Sequence, residues 1–171
     1  MLIMKQLINY LRPSFKLWAC FFKLFFKDSL SVRSPLSIKV NEVLGRALFS
    51  GNYKKGRILA STFLLSKNSR AVSTNRMTYA NRIWFVNLAE HDAQERARRE
   101  ERTVSFYGFA LLKELELSDI KLDGKKAIRA IGKPTIRNPL HADIEFLSEG
   151  KDADLEIADK LLSLAMPDIQ T

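Results

Sequence analysis

The chain has little with which to build a metal centre or a covalent crosslink: one cysteine, Cys20, and two histidines, His91 and His141, in 171 residues. Cys20 cannot close a disulfide within the chain, and a thiolate zinc site needs several cysteines. Long hydrophobic runs are also missing. No stretch approaches the ~18 uncharged apolar residues of a membrane-spanning helix. A secretory signal would need an unbroken apolar core, and Arg12 and Lys16 fall where that core would lie. The string Leu17-Trp18-Ala19-Cys20 has the spacing of a lipoprotein cleavage box, but Trp18 is bulky for that role and Phe21-Phe22 follow where a polar tether is expected. Acidic residues are nearly absent from the first half. Residues 1–88 carry 15 Lys or Arg against 2 Asp or Glu, a balance of +13, whereas residues 89–171 carry 13 against 17, a balance of −4.

What is present is an ordinary globular composition, 46% apolar and 27% charged, which argues against wholesale disorder and is long enough for one domain plus an appendage. A lone thiol fits a reduced compartment, so the expected location is the cytoplasm, or its side of a membrane surface. A cationic first half attracts phosphate-rich or acidic partners: nucleic acid, an anionic membrane or an acidic protein.

Two regions are expected, an N-terminal amphipathic helix with linker over residues 1–37 and a single domain over 38–171. In the first, Lys5, Arg12, Lys16, Lys23 and Lys27 are spaced 7, 4, 7 and 4 apart, which confines them to an arc of about 60° on a helix. Leu7, Leu11, Phe15, Trp18, Phe22 and Phe26 occupy the rest of the wheel, and Pro13-Ser14 would kink or restart the helix. Such a helix suits a membrane surface, a protein partner or second copy through Lys5, Arg12, Lys16, Trp18, Lys23 and Lys27, or packing on its own domain.

In the domain, Gly51 to Gly56 reads as a basic turn, Arg57–Leu65 as a strand, and Lys67–Asn75 as a loop with a short strand at its end. Residues 83–88 are apolar and β-branched enough for a buried strand or the entry to a helix. Residues 89–102, AEHDAQERARREER, form a helix with almost no apolar face; Arg96, Arg99 and Arg102 would line a phosphate-binding stripe or be neutralised by the interleaved glutamates. Residues 103–117 suit a strand, Asp123-Gly124 a turn, residues 128–136 a short strand or loop, and 141–147 another strand. Asp152 to Ala165 has helical spacing of Leu155, Ala158, Leu161, Leu162 and Ala165. The expected class is α+β: a small mixed or antiparallel sheet with two or three packed helices, plus the N-terminal helix.

Three stretches together resemble a group of small bacterial proteins of unassigned function: Leu44-Gly45-Arg46-Ala47-Leu48-Phe49-Ser50 with Lys55-Gly56-Arg57, then Arg82-Ile83-Trp84, then Asn138-Pro139-Leu140-His141-Ala142-Asp143-Ile144. That group carries an Arg-x-Ile-Phe-Ser opening, where this chain has Leu48 for Ile, and the Asn-Pro-x-His-Ala-Asp-Ile segment before a terminal helix. The resemblance spans roughly residues 38–165. It implies an intracellular bacterial domain that accompanies a larger enzyme or a defence-type system, and it supplies no mechanism.

For chemistry, His141, Asp143 and Glu145 would share one face of a strand and are the candidate acid–base set. Arg46, Lys54, Lys55, Arg57, Arg76 and Arg82, near Tyr53 and Tyr79, are the candidate nucleic-acid or anion contacts. Neither a metal set nor a cofactor motif is present, and the Gly51–Gly56 turn lacks the Gly-Lys-Ser/Thr ending of a phosphate-binding loop. The leading expectation is a non-catalytic accessory or binding module that contacts nucleic acid or an acidic protein through its cationic half. The alternatives are a small hydrolase using His141 and Asp143 with Arg46 or Arg57 on an anionic group, and a membrane-surface protein anchored by residues 1–27.

Overall fold

The computed structural model describes residues 15–23 and 36–170. Residues 15–23 are helical (α1). Then come strand β1 (Val43–Phe49), the short hairpin β2 (Tyr53–Lys54) and β3 (Arg57–Ile58), β4 (Ala71–Arg76), helix α2 (Arg82–Glu100), β5 (Phe106–Lys113) and a helical turn α3 (Glu114–Leu117). A second hairpin, β6 (Lys121–Leu122) and β7 (Lys125–Lys126), precedes β8 (Ile128–Gly132), β9 (His141–Phe146), helix α4 (Lys151–Leu164) and β10 (Met166–Ile169). Six strands form one sheet in the order β10-β5-β1-β4-β9-β8, every neighbour antiparallel. The fold is therefore α+β with an antiparallel sheet.

Strand alternation sends side chains to two cores. Leu44 and Leu48 of β1 and Ala110 and Leu112 of β5 join Val72, Ile144 and Phe146 against Ile157, Ala158 and Leu161 of α4. Ala47, Phe49, Phe109 and Leu111 face the other way, towards Phe85, Val86, Ala89 and Ala93 of α2. Those four residues of α2 recur at helical spacing and give this otherwise charged helix its buried stripe. Asn81 starts the helix by accepting a bond from the Ile83 amide (3.0 Å), and Glu101 ends it in the left-handed region.

The described part of α1 lies on this second core. Leu17 and Phe21 are buried there, and the Trp18 indole donates to the Ile136 carbonyl at 3.0 Å. Burying two such side chains contributes about 1.5–3 kcal/mol each, which favours a docked helix. Phe15, Lys16, Phe22 and Lys23 remain exposed, with Lys16 over the Trp84 ring. Lys5, Arg12, Lys27, the Pro13-Ser14 restart and most of the expected linker lie outside the described residues. Leu36 accepts the Gly132 amide (2.7 Å) and Ser37 bridges to Ile131, so pairing to the sheet begins there.

Three expectations change. The strand expected over residues 103–117 ends at Lys113, and Glu114–Leu117 is a helical turn. Residues 57–65 are not one strand: pairing stops at Ile58 and a 3-10 turn follows over Ala60–Thr62. Ser61 and Thr62 hydroxyls bond the carbonyls of Gly51 and Asn52, so hydroxyl capture competes with extended pairing and draws Phe63 into the core. After α4 the chain adds an unforeseen edge strand, β10. Pro167 is tolerated there because an edge strand needs hydrogen bonds on one side only.

Where β5 turns into α3, the Glu114 amide donates to the Glu42 carbonyl (3.0 Å) and Glu114 Oε2 is buried without a hydrogen-bond partner among the described residues. Burial, helped by Glu42 and opposed by Lys126, pushes the Glu114 carboxyl up to about 7. A carboxyl with a raised folded pKa takes up a proton on folding. Its contribution is therefore most favourable below its ordinary value of 4.5 and is lost as pH rises to about 7. Glu114→Gln should flatten that decline by about 1–2 kcal/mol, a figure reduced for the group's partial exposure. Urea unfolding of both proteins at pH 5 and about 8 measures it; parallel declines would show that Glu114 is not responsible.

Candidate anion-binding site

The site comes from an interruption in the sheet. β1 pairs with β5 along its whole length, but with β4 only at Leu44↔Arg76 and Gly45↔Asn75. Beyond that junction β1 and β4 diverge, and the gap opens into a cavity of about 290 Å³. α2 roofs it with Phe85, Leu88, Ala89, Asp92 and Arg96, and the β8–β9 loop closes one side with Thr135, Arg137 and Asn138. Continued pairing would have set Arg46 opposite Thr74 and Ala47 opposite Ser73. Instead the Arg46 guanidinium reaches across, and Nη1 donates to the Ser73 carbonyl at 2.8 Å.

Arg46 Nε is buried with no hydrogen-bond partner among the described residues. Burial first, and then the like charge of Arg96, bring the guanidinium down to about 10, against the opposing pull of Asp143. Arg96 lies over the Phe49 ring at 4.3 Å, and no carboxylate is ion-paired with it or with Arg46 among the described residues. Arg137 reaches His91 Nδ1 (2.9 Å) and Asp92 (3.3 Å). A guanidinium can only donate, so His91 Nδ1 accepts and the ring is neutral. Burial and then Arg137 hold its pKa below the usual value. Three arginines against one carboxylate line the cavity, a formal balance of +2 before His141 is counted. Amides complete the wall: Asn138 Nδ2 donates to Asn75 Oδ1 (2.5 Å), and Asn138 Oδ1 accepts the Leu140 amide (3.1 Å), which pins the loop to β4.

The candidate acid–base residues share one face of β9, and other protein groups engage each of them. His141 Nδ1 lies 2.9 Å from the Lys133 carbonyl, which can only accept, so Nδ1 carries the proton. Nε2 then faces Asp143 Oδ1 at 3.6 Å, and Asp143 Oδ2 binds Lys133 Nζ at 2.9 Å, an arrangement that raises the Lys133 pKa. Both ring nitrogens thus point at protein groups. Glu145 shares their face of β9 but is held by Arg129 at 2.6 and 2.9 Å. Among the described residues no three His, Cys, Asp or Glu side chains converge to hold a metal.

The candidate cations are dispersed as well. Arg76 is not on the surface: it is 1% exposed and makes a bidentate pair with the fully buried Glu42 (2.7 and 2.8 Å), with Tyr79 stacked on it. The Tyr79 hydroxyl donates to the same carboxylate at 2.9 Å, and burial together with that bond pushes it up to about 12. Arg82 clamps the start of α2 to β10 through Asp168 at 2.6 Å. Lys54, Lys55 and Arg57 are exposed on the β2–β3 hairpin, which leaves from the C-terminal end of β1 and contributes no residue to the cavity lining. Tyr53 of that hairpin packs on Tyr107. Of the helical stripe, Arg99 and Arg102 pair with Glu100, and only Arg96 turns into the cleft.

Sequence reasoning singled out Arg46 but missed Arg137, Asn75 and Asn138 as its companions. One signal was available: the segments that carry the family resemblance, Arg46–Phe49 and Asn138–His141, meet as walls of the cavity. No helix among the described residues is long and apolar enough to cross a membrane. No family model, curated protein or solved structure matches this chain.

Proposed function

We propose that the protein is a non-catalytic nucleic-acid-binding module, in which the cleft holds a phosphate and the hairpin cations guide the strand towards it. The observation that carries this reading is Arg46: a half-buried guanidinium whose Nε has no hydrogen-bond partner among the described residues, beside a second arginine and with no carboxylate ion-paired to it there. Such a group is costly in isolation and is relieved by an anion. Lys54, Lys55 and Arg57 add exposed charge on the hairpin that follows β1, and Tyr53 and Tyr107 add aromatic surface beside it. With the resemblance carried by the Asn138–Ile144 segment, this makes the protein an accessory component of a bacterial system rather than its catalyst. Acid–base hydrolysis through His141 and Asp143 has less support, because His141 Nδ1 is spent on the Lys133 carbonyl and Asp143 is held by Lys133 Nζ.

Single-stranded oligonucleotide affinity should fall roughly 50-fold between about 50 and 200 mM salt, as expected for about four neutralised phosphates. Replacing Lys54, Lys55 and Arg57 together by alanine should lower the slope of log affinity against log salt by about 2. Fluorescence anisotropy across a salt series reads both. No binding at the lowest salt would end the nucleic-acid reading, and binding of an acidic peptide instead would transfer the cationic surface to a protein partner.

A further inference from the structure

The cleft is blind at one end. β1 and β4 are hydrogen-bonded at Leu44–Gly45, which seals the gap behind the cavity, while α2 roofs it and the β8–β9 loop walls the side. A continuous nucleic-acid chain needs an exit as well as an entrance, but an end needs only an entrance. The charge points the same way. An internal phosphodiester carries one negative charge, whereas a terminal phosphomonoester carries about −1.5 to −2 at neutral pH. Against this, the lining residues balance to +2. The cavity's lining is not polar throughout: Phe49, Phe85 and Leu88 lie beside the arginines, and the Arg96 guanidinium is spread over Phe49. Its volume, about 290 Å³, lies at the small end of ligand sites. Arg96 therefore presents a flat cation on which the last base could stack while Arg46 and Arg137 take the phosphate.

We propose that the cleft reads a phosphorylated nucleic-acid end, seating one terminal phosphomonoester on Arg46 and Arg137 with its nucleotide against Arg96. This rests on the nucleic-acid reading above and narrows it from strand contact to end recognition. It also separates two surfaces by role, with Lys54, Lys55 and Arg57 giving affinity and the cleft giving preference.

The test uses the full chain and short single strands of identical sequence, DNA and RNA, ending in 5′-phosphate, 3′-phosphate or hydroxyl only. One phosphorylated end should bind at least about tenfold more tightly than the hydroxyl strand, the value of charge-assisted bonds to a buried group. The preference should grow as pH rises through about 6, where the monoester takes its second charge. Arg96→Gln should abolish the preference, so that phosphorylated and hydroxyl strands bind alike; Arg46→Gln should do the same, and Arg46→Lys serves if loss of the bond to Ser73 impairs folding, which a thermal melt reports. The triple hairpin variant should weaken all strands and keep the preference. Equal affinity for all ends, or a preference that survives in both Arg96→Gln and the Arg46 variant, would overturn end reading and leave strand binding intact. Absence of binding to every strand at low salt overturns both. A phosphopeptide that binds as tightly as the preferred strand would assign the cleft to a protein ligand and overturn the nucleic-acid identity.

Discussion

Arg76→Met is expected to destabilise the protein by about 3–5 kcal/mol, enough to unfold much of the population of an ordinary domain. The reason lies in what remains. Glu42 is fully buried, and its carboxylate is held by Arg76 Nε and Nη2, by the Tyr79 hydroxyl and by the Lys39 amide at 2.9 Å. Removing the guanidinium leaves a charge in the interior with two neutral donors and no cation. Glu42→Gln alone should be damaging too, because Arg76 would then be the unpaired ion. The double variant Glu42→Leu, Arg76→Met should recover much of the loss, since a well-packed apolar pair often replaces a buried ion pair at little cost. Urea unfolding of the parent, Arg76→Met, Glu42→Leu and the double variant measures the coupling. If Arg76→Met unfolds at the same urea concentration as the parent, the pair contributes little and Glu42 is neutral or solvated. Because Arg76 has no exposed donor to offer, any loss of nucleic-acid binding in this variant should track the loss of folded protein.

Gly108→Ala is the second large effect, and it is steric. Gly108 sits within β5 at φ +138°, beside a register shift between Leu48 and Phe49 of β1. A Cβ there would stand within 3 Å of backbone on β10, against the Asp168 carbonyl oxygen and the Ile169 Cα. Neither obstacle is a side chain that can swing aside. The left-handed backbone adds its own strain for an L side chain, so a cost of about 3 kcal/mol or more is expected. Relief comes by peeling β10 from β5, which breaks the clamp between Arg82 and Asp168 at the start of α2. Limited proteolysis should then cut after α4 faster than in the parent. Gly124→Asn makes the control: it is also at positive φ, but nothing stands within 4 Å of its added Cβ, and Asn tolerates that region. Equal stability of Gly108→Ala and Gly124→Asn would show that β10 is not tightly held on β5.

Local patterns settled much of the architecture before any tertiary contact entered. Apolar and aromatic composition marked β5, the HADIEF segment marked β9, Asp123-Gly124 marked the β6–β7 turn, and helical spacing marked α4, because each depends on neighbours within a few residues. The choice of helix over strand for residues 83–88 depended on more, namely that Phe85 and Val86 align with Ala89 and Ala93 into one buried stripe. Edge strand β10 was invisible for the converse reason: MPDI has no periodicity of its own and exists as a strand only because β5 offers an open edge.

The amino-acid sequence by itself determined the α+β class, the cationic first half and the candidate residues Arg46, Lys54, Lys55 and Arg57. Only the tertiary structure decided which arginines are available. Residues of one charge look alike in sequence, yet Arg76 is neutralised inside by Glu42, Arg82 is tied to Asp168, and Arg99 and Arg102 are paired with Glu100. Arg46, Arg96 and Arg137 come from a strand, a helix and a loop 41 or more positions apart, and they converge because β1 and β4 stop pairing after two residue pairs. The fate of a charge depends on which carboxylate the fold brings within reach, and that distance is not written in the spacing along the chain.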